Sequence, residues 1–335
     1  MSKFTQLGND LYSGVKSVNF VGRRRVFYVV SLILVVVALA GPFARAAITG
    51  TPAYNFGIEF TGGSEFIISD AATTDQTLAT TAVESVVGDV APKVSVVGSS
   101  GIRVQTSQMT NAQTNEVKTA LASAYGVPET NVTSSFIGAT WGQDITQTAI
   151  RGLIVFLVLA ALLMAIYFRT WKMSVVAIVA LLHDVIITAG VYGITGFEVT
   201  PGAVIGLLTI LGYSLYDTVV VFDKIRENTL GVARDMSKTF GQQVNLAVNQ
   251  TLVRSINTSV VAALPVASIL FIGAFVLGAG TLRDISLALL IGIVVGTYST
   301  LFLAAPLYAG WRGRESAIKK ADNKILSAQA RSVEV

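Results

Sequence analysis

Cysteine is absent from the 335 residues, which excludes disulfides, thiolate metal sites and thiol nucleophiles. Histidine occurs once, at His183, so no histidine-rich metal constellation can form. Charge is scarce: Asp, Glu, Lys and Arg make up 13% of the chain, about half the ~25% of a soluble domain. The sequence has no phosphate-cradling P-loop and no Ser-centred nucleophile elbow. ATP binding, hydrolysis and group transfer therefore lack support. The chain reads as a non-enzyme without a bound cofactor, and any work it does must draw on a membrane gradient. No tandem repeat of 20 to 50 residues is visible.

What is present is hydrophobic. Apolar residues account for 52% of the chain and cluster into long runs. Roughly 20 such residues cross a bilayer. Six candidate spans follow: Val26–Ala47, Gly152–Phe168, Met173–Gly193, Pro201–Phe222, Thr258–Gly280 and Ile285–Ala309. The second falls short unless it also takes in Ile150 and Arg151. The first is too long for a signal-peptide core and reads as a retained span.

Basic residues fix the expected orientation. Lys16 and Arg23–Arg25 precede the first span, and Arg169 and Lys172 separate the second and third. Lys224, Arg226, Arg234, Lys238 and Arg254 follow the fourth, and Arg312, Arg314, Lys319, Lys320 and Lys324 follow the sixth. With six spans all four groups share one side, expected to be cytoplasmic along with both termini. The division expected is a cytoplasmic N-terminus (1–25), a first span (26–47), an exported domain (48–148), spans two to six (149–311) with a cytoplasmic link near 224–254, and a charged tail (312–335), either helical or disordered. Within the link, Asp235–Asn249 is expected to form a surface helix.

Segment 48–148 differs in kind. It is rich in Thr, Ser, Asn and Gln, and its acids outnumber its bases. NFGIEF, SEFIIS, KVSVVG and GIRVQT alternate like strands, while Asp75–Val87 and Ala112–Ala124 read as amphipathic helices. This predicts a compact α+β domain, with the ferredoxin-like arrangement as a candidate.

One carboxylate stands out. Asp217 lies inside the apolar fourth span, where a charge costs roughly 2.5–3.5 kcal/mol on insertion scales. Such acids mostly mark ion or proton pathways, although a fixed ion pair or an ordering hydrogen bond is the plain alternative. Tyr213 and Thr218 make its surroundings polar. Arg254, in TLVRSINTS before the fifth span, reads either as its cationic partner or as a headgroup anchor. His183 and Asp184 sit in the third span. Asp184 is a candidate second relay acid, and His183 a supporting residue. Gly202, Gly206 and Gly212, with the Gly292–Gly296 GxxxG pair, allow close helix approach, and Pro265 predicts a kink.

The runs GIEFTGG (Gly57–Gly63, including Glu59, Thr61 and Gly62), GYSLYDTVVVFDKIREN (Gly212–Asn228), TLVRSINTS and GIVVGTYSTLFLAAPL (Gly292–Leu307) together resemble the SecD/SecF family of bacterial protein-export membrane proteins. Within it the resemblance is to the SecF branch, because segment 48–148 is too small for a SecD exported region. It covers about Lys16 to Leu307. It implies a polytopic helical protein of the bacterial cytoplasmic membrane, built as half of a resistance–nodulation–division transporter. It also implies SecD and the SecYEG channel as partners, with YajC and YidC as further candidates and an unfolded preprotein as substrate. Asp217 and Arg254 would be the proton-responsive pair, drawing on the proton gradient, with sodium as the alternative ion. The competing readings are a proton-driven exporter of lipids or small molecules, and a non-transporting scaffold for the translocon.

Overall fold

The computed structural model describes residues 3–88, 92–168, 170–230, 237–273 and 280–333. Arg169, Arg234 and Asp235, which enter the charge and helix readings, lie outside the described residues. Six helices among the described residues are long and apolar enough to cross a membrane. They are α2 (Arg24–Thr49), α6 (Ala139–Phe168), α7 (Trp171–Thr195), α8 (Pro201–Thr229), α9 (Phe240–Phe271) and a sixth running from Gly280 to Arg312. The sixth is composite: α10 (Gly280–Tyr298), a π-helical segment Ser299–Ala304 and α11 (Ala305–Arg312). Helix α1 (Lys3–Ser13) precedes the spans and α12 (Ser316–Val333) follows them, so the tail is helical.

Two span boundaries differ from the hydropathy reading. Helix α6 begins at Ala139, directly after the last strand of the α+β domain, so its polar first turns were read as part of that domain. Helix α9 begins at Phe240, capped by a Thr239/Gln242 capping box, and runs to Phe271; residues 274–279 of the expected fifth span lie outside the described residues. Of the segment expected as a separate surface helix, Phe240–Asn249 are its first turns. They are held there because Asn245 and Asn249 accept hydrogen bonds from the backbone N–H of Phe20 (2.8 Å) and Val18 (2.7 Å). Pro265 lies within an uninterrupted α9.

Small residues set the closest helix approaches. A methyl group on Gly206 would lie 2.7 Å from the Ile285 carbonyl, and one on Gly292 would lie 2.5 Å from Ile210, so both faces of the α8–α10 contact need glycine. Gly190 and Gly193 of α7 do the same against Ala38 and Pro42 of α2. Gly212 has nothing within 4 Å of such a methyl group, so among the described residues it makes no close helix approach. The bundle core is built on Met164, Phe168, Met173, Phe222, Ile225, Leu301 and Tyr308.

Between α2 and α6 the chain forms β1 (Asn55–Phe56), a helical turn α3 (Ile58–Thr61), β2 (Gly63–Ile68), α4 (Gln76–Val87), β3 (Lys93–Val97), β4 (Gly101–Thr106), α5 (Asn111–Tyr125) and β5 (Val132–Ile137). The four-stranded antiparallel sheet has order β3-β4-β2-β5, which with its βαββαβ sequence is the ferredoxin-like topology. The period of two along each strand sends Phe66, Ile68, Ile102 and Val104 to the core beneath α4 and α5, and Glu65 and Arg103 to the other face. Asp75 caps α4 through the Thr77 N–H, and Thr110 with Gln113 forms a capping box on α5. The strand expected across NFGIEF stops at Phe56. Gly57 turns the chain into α3, and Gly62 ends it with φ 75°. Strand β5 had too little alternation to be recognised. A second, two-residue pairing joins β1 in parallel to β6 (Glu198–Val199), in the link between α7 and α8.

Candidate functional site

Helix α8 starts with Thr200 accepting from the Ala203 N–H and Pro201 in the first turn, and carries Ser214, Asp217 and Thr218 on one buried face. Asp217 is 6% exposed. Its Oδ1 accepts a 2.8 Å hydrogen bond from the Ser255 hydroxyl of α9, while its Oδ2 is buried with no hydrogen-bond partner among the described residues. Arg254, the residue before Ser255, is exposed and donates to the Tyr216 hydroxyl at 3.3 Å. No Asp217–Arg254 ion pair occurs among the described residues. The two helices are instead joined by consecutive rungs, Tyr216–Arg254 and Asp217–Ser255.

Asp184 of α7 is 2% exposed and accepts a short hydrogen bond (2.6 Å) from the Ser214 hydroxyl. Gly296 makes room for this contact, since a methyl group there would crowd Ser214 Oγ at 2.9 Å and Ser214 Cβ at 3.0 Å. His183 Nδ1 lies 3.4 Å from the other Asp184 oxygen, and its ring stacks on Tyr298. The Tyr213 hydroxyl is buried. Thr218 pairs with Thr300 (2.9 Å), and Ser259 with Thr297 (2.5 Å). A layer of hydroxyls and two acids thus crosses α7, α8, α9 and the sixth span.

The sequence reading missed Ser255, Ser259, Thr297 and Thr300. Their signal was present as spacing. Ser255 and Ser259 are four apart on one helical face, within the same TLVRSINTS run that drew attention to Arg254.

The Gly57–Gly63 motif lies elsewhere, at the seat of the α+β domain. Gly63 (φ 146°) passes so close to the Thr106 carbonyl that a side chain would overlap it, and Thr61 donates to the Gly57 carbonyl (3.2 Å). Glu59 joins Glu65 and Glu198 around Arg103, at 3.9, 2.5 and 3.1 Å, and Lys93 approaches Glu198 at 3.6 Å. Burial pushes the Glu59 carboxyl above the usual range, and Glu198 and Glu65 add to this against the pull of Arg103. A cavity of about 320 Å³ opens beside them, bounded on the other side by Thr200, Arg283 and Asp284. Asp284 accepts from the Thr200 hydroxyl at 2.9 Å.

Residues 116–314 match the family described as protein export membrane protein SecD/SecF, C-terminal. The chain is 41% identical over 330 residues to the protein translocase subunit SecF of Streptomyces coelicolor, covering 98% of this chain and 86% of that one. It is 40% identical to the SecF subunit of Mycobacterium tuberculosis, covering 94% and 72%. The crystal structure of SecDF, a translocon-associated membrane protein from Thermus thermophilus, superposes with a TM-score of 0.75 at 30% identity. That match covers 89% of this chain and 39% of that one.

Proposed function

Because the chain belongs to the SecD/SecF protein-export family, whose members are translocase subunits and not enzymes, we propose that it is an accessory subunit of the Sec translocase. On this reading it works with SecD, beside the SecYEG channel and with YajC and YidC as further neighbours, and uses the proton gradient to promote export of unfolded preproteins. The relative in which SecD and SecF form one chain supports the SecD partnership.

The observation that carries the reading is Asp217: an acid within a span, buried, with one oxygen held by a hydroxyl and the other open to a proton. A proton on Oδ2 would make the side chain neutral and remove the cost of a charge at that depth. In that state Arg254 is free to rest on Tyr216, which is the arrangement observed. Loss of the proton would draw Arg254 across one rung towards Asp217 and shift α9 against α8. The Asp184–Ser214 contact brings a second acid, from α7, against α8 at the residue three before Asp217, suited to pass a proton on. Moving one charge across the membrane supplies roughly 2.3 kcal/mol per 100 mV, enough to bias two arrangements more than tenfold. That favours repeated small strokes on an unfolded chain over a single pull. The α+β domain, exported between α2 and α6, would hold or release the emerging polypeptide.

The test is export of a secreted precursor in cells whose only copy carries Asp217→Asn, with protein level and SecD association measured alongside. Export should fall while the complex still assembles. Normal export would make the acid structural and the chain a scaffold. Repeating the assay with sodium replaced by potassium separates proton from sodium coupling.

A further inference from the structure

The α+β domain meets the α7–α8 link through an unbalanced set of charges. Glu59 comes from α3, Glu65 from β2 and Glu198 from β6, against Lys93 of β3 and Arg103 of β4. The other charged groups nearby are already engaged. Arg283 and Asp284 of α10 pair with each other at 3.1 Å, and Arg45 of α2 is turned to the Gly193 and Pro52 carbonyls. Gln105 is neutral and donates to Glu65. The cluster therefore carries one negative charge more than its cations answer.

The surplus has a location. Glu59 Oε2 and Glu198 Oε1 are both buried and receive no hydrogen bond among the described residues, with Lys93 Nζ 3.6 Å from the latter. Both oxygens converge on the bare Cα of Gly57. A methyl group there would overlap Glu59 Oε2 and press on Glu198 Oε1 at 3.3 Å. The Glu198 side chain is 9% exposed, and the cavity beside Glu59 gives solvent a way in.

We propose that Glu59 and Glu198 form a proton-binding site, a carboxyl pair sharing one proton over Gly57, and that its occupancy sets how firmly the α+β domain is held on the α7–α8 link. Both oxygens crowd the same point over Gly57, where the charge of Glu198 disfavours ionisation of Glu59. The proton comes from solvent and takes the cluster from one net negative charge to none. It replaces repulsion between α3 and β6 by an O–H···O bond across the joint. Burial that raises the Glu59 pKa acts in the same direction. The joint is thus tight at acidic pH and loosens as pH rises through the raised range of Glu59. Nothing in this requires Asp217 to be a proton site.

The test uses the full chain in lipid nanodiscs. Because the chain lacks cysteine, Ser134→Cys on β5 and Thr195→Cys at the end of α7 accept spin labels cleanly. Infrared difference spectra should show a protonated-carboxyl band gained on acidification, titrating above the ~4.3 of a free Glu. The band should be lost in Glu59→Gln and in Glu198→Gln. The interspin distance distribution should narrow in the same pH window, and stay narrow at every pH in Glu59→Gln, whose amide can donate to Glu198. The proposal is overturned if the band is absent, if it survives both substitutions, or if the distribution ignores pH. No transport is measured, so this outcome is independent of the Asp217→Asn export result.

Discussion

Asp184 and Asp217 face hydroxyls, whereas Glu59, Glu65 and Glu198 face a guanidinium and an ammonium. The two regions handle buried carboxylates in opposite ways. A serine donates one hydrogen bond and carries no charge, so an acid held by it can gain or lose a proton without stranding a cation in the membrane. An arginine answers charge with charge and fixes geometry through several donors at once. The bundle layer suits switching, and the seam suits holding, with one unanswered charge left over. The contrast follows the local solvent, because an unpaired cation is tolerable beside a wet cavity and costly among lipids.

The comparison can be broken most severely at the seam. Arg103→Met would leave three carboxylates facing Lys93 alone, and removing one partner from a buried ionic cluster costs about 3–5 kcal/mol. Thermal unfolding should show the loss, with faster hydrogen exchange in β4 and at the β1–β6 pairing. In the bundle, Ser255→Ala leaves Asp217 without its donor and should cost about 1–3 kcal/mol, the penalty of an unsatisfied buried group. Its export defect should resemble that of Asp217→Asn in kind while being smaller in size. An export defect as large as that of Asp217→Asn would mean that Ser255 does more than donate. Tyr216→Phe frees Arg254 from its present rung and should cost no more than about 1 kcal/mol, because that contact is long and exposed. Its effect should appear as a shifted pH dependence of export. The smallest expected change is in the pH profile of stability. Glu59 has a raised pKa in the fold, so its contribution is complete below the unfolded value and fades as pH rises through the folded one. A melting temperature that rises across that window would contradict the seam reading.

Hydropathy made the six spans legible because lipid demands long apolar runs, and alternation exposed β2, β3 and β4 because one face of that sheet is a core. The beginnings of α6 and α9 were hidden for one reason: outside the lipid a helix no longer has to be apolar, and composition changes before the backbone does. Asp217 announced itself as a charge in an apolar run, and Asp184 in the same way. Ser255 and Thr300 did not, since a hydroxyl inside a helix can satisfy itself on its own backbone and is unremarkable until a partner is seen. The seam was illegible in principle. Glu198 and Arg103 are 95 residues apart, and only the β1–β6 pairing brings them within 3.1 Å.

The sixth span changes gait at Ser299–Ala304. A π-type turn holds roughly one residue more than an α turn. The helix after it is therefore rotated relative to the helix before it, as if two rods had been joined with a twist. Thr297 ahead of it serves α9, Thr300 within it serves α8, and Tyr308 beyond it fills the bundle core. A one-residue deletion there would keep every side chain's chemistry and send the downstream ones to different neighbours. In this segment, residue count is as tightly specified as residue identity.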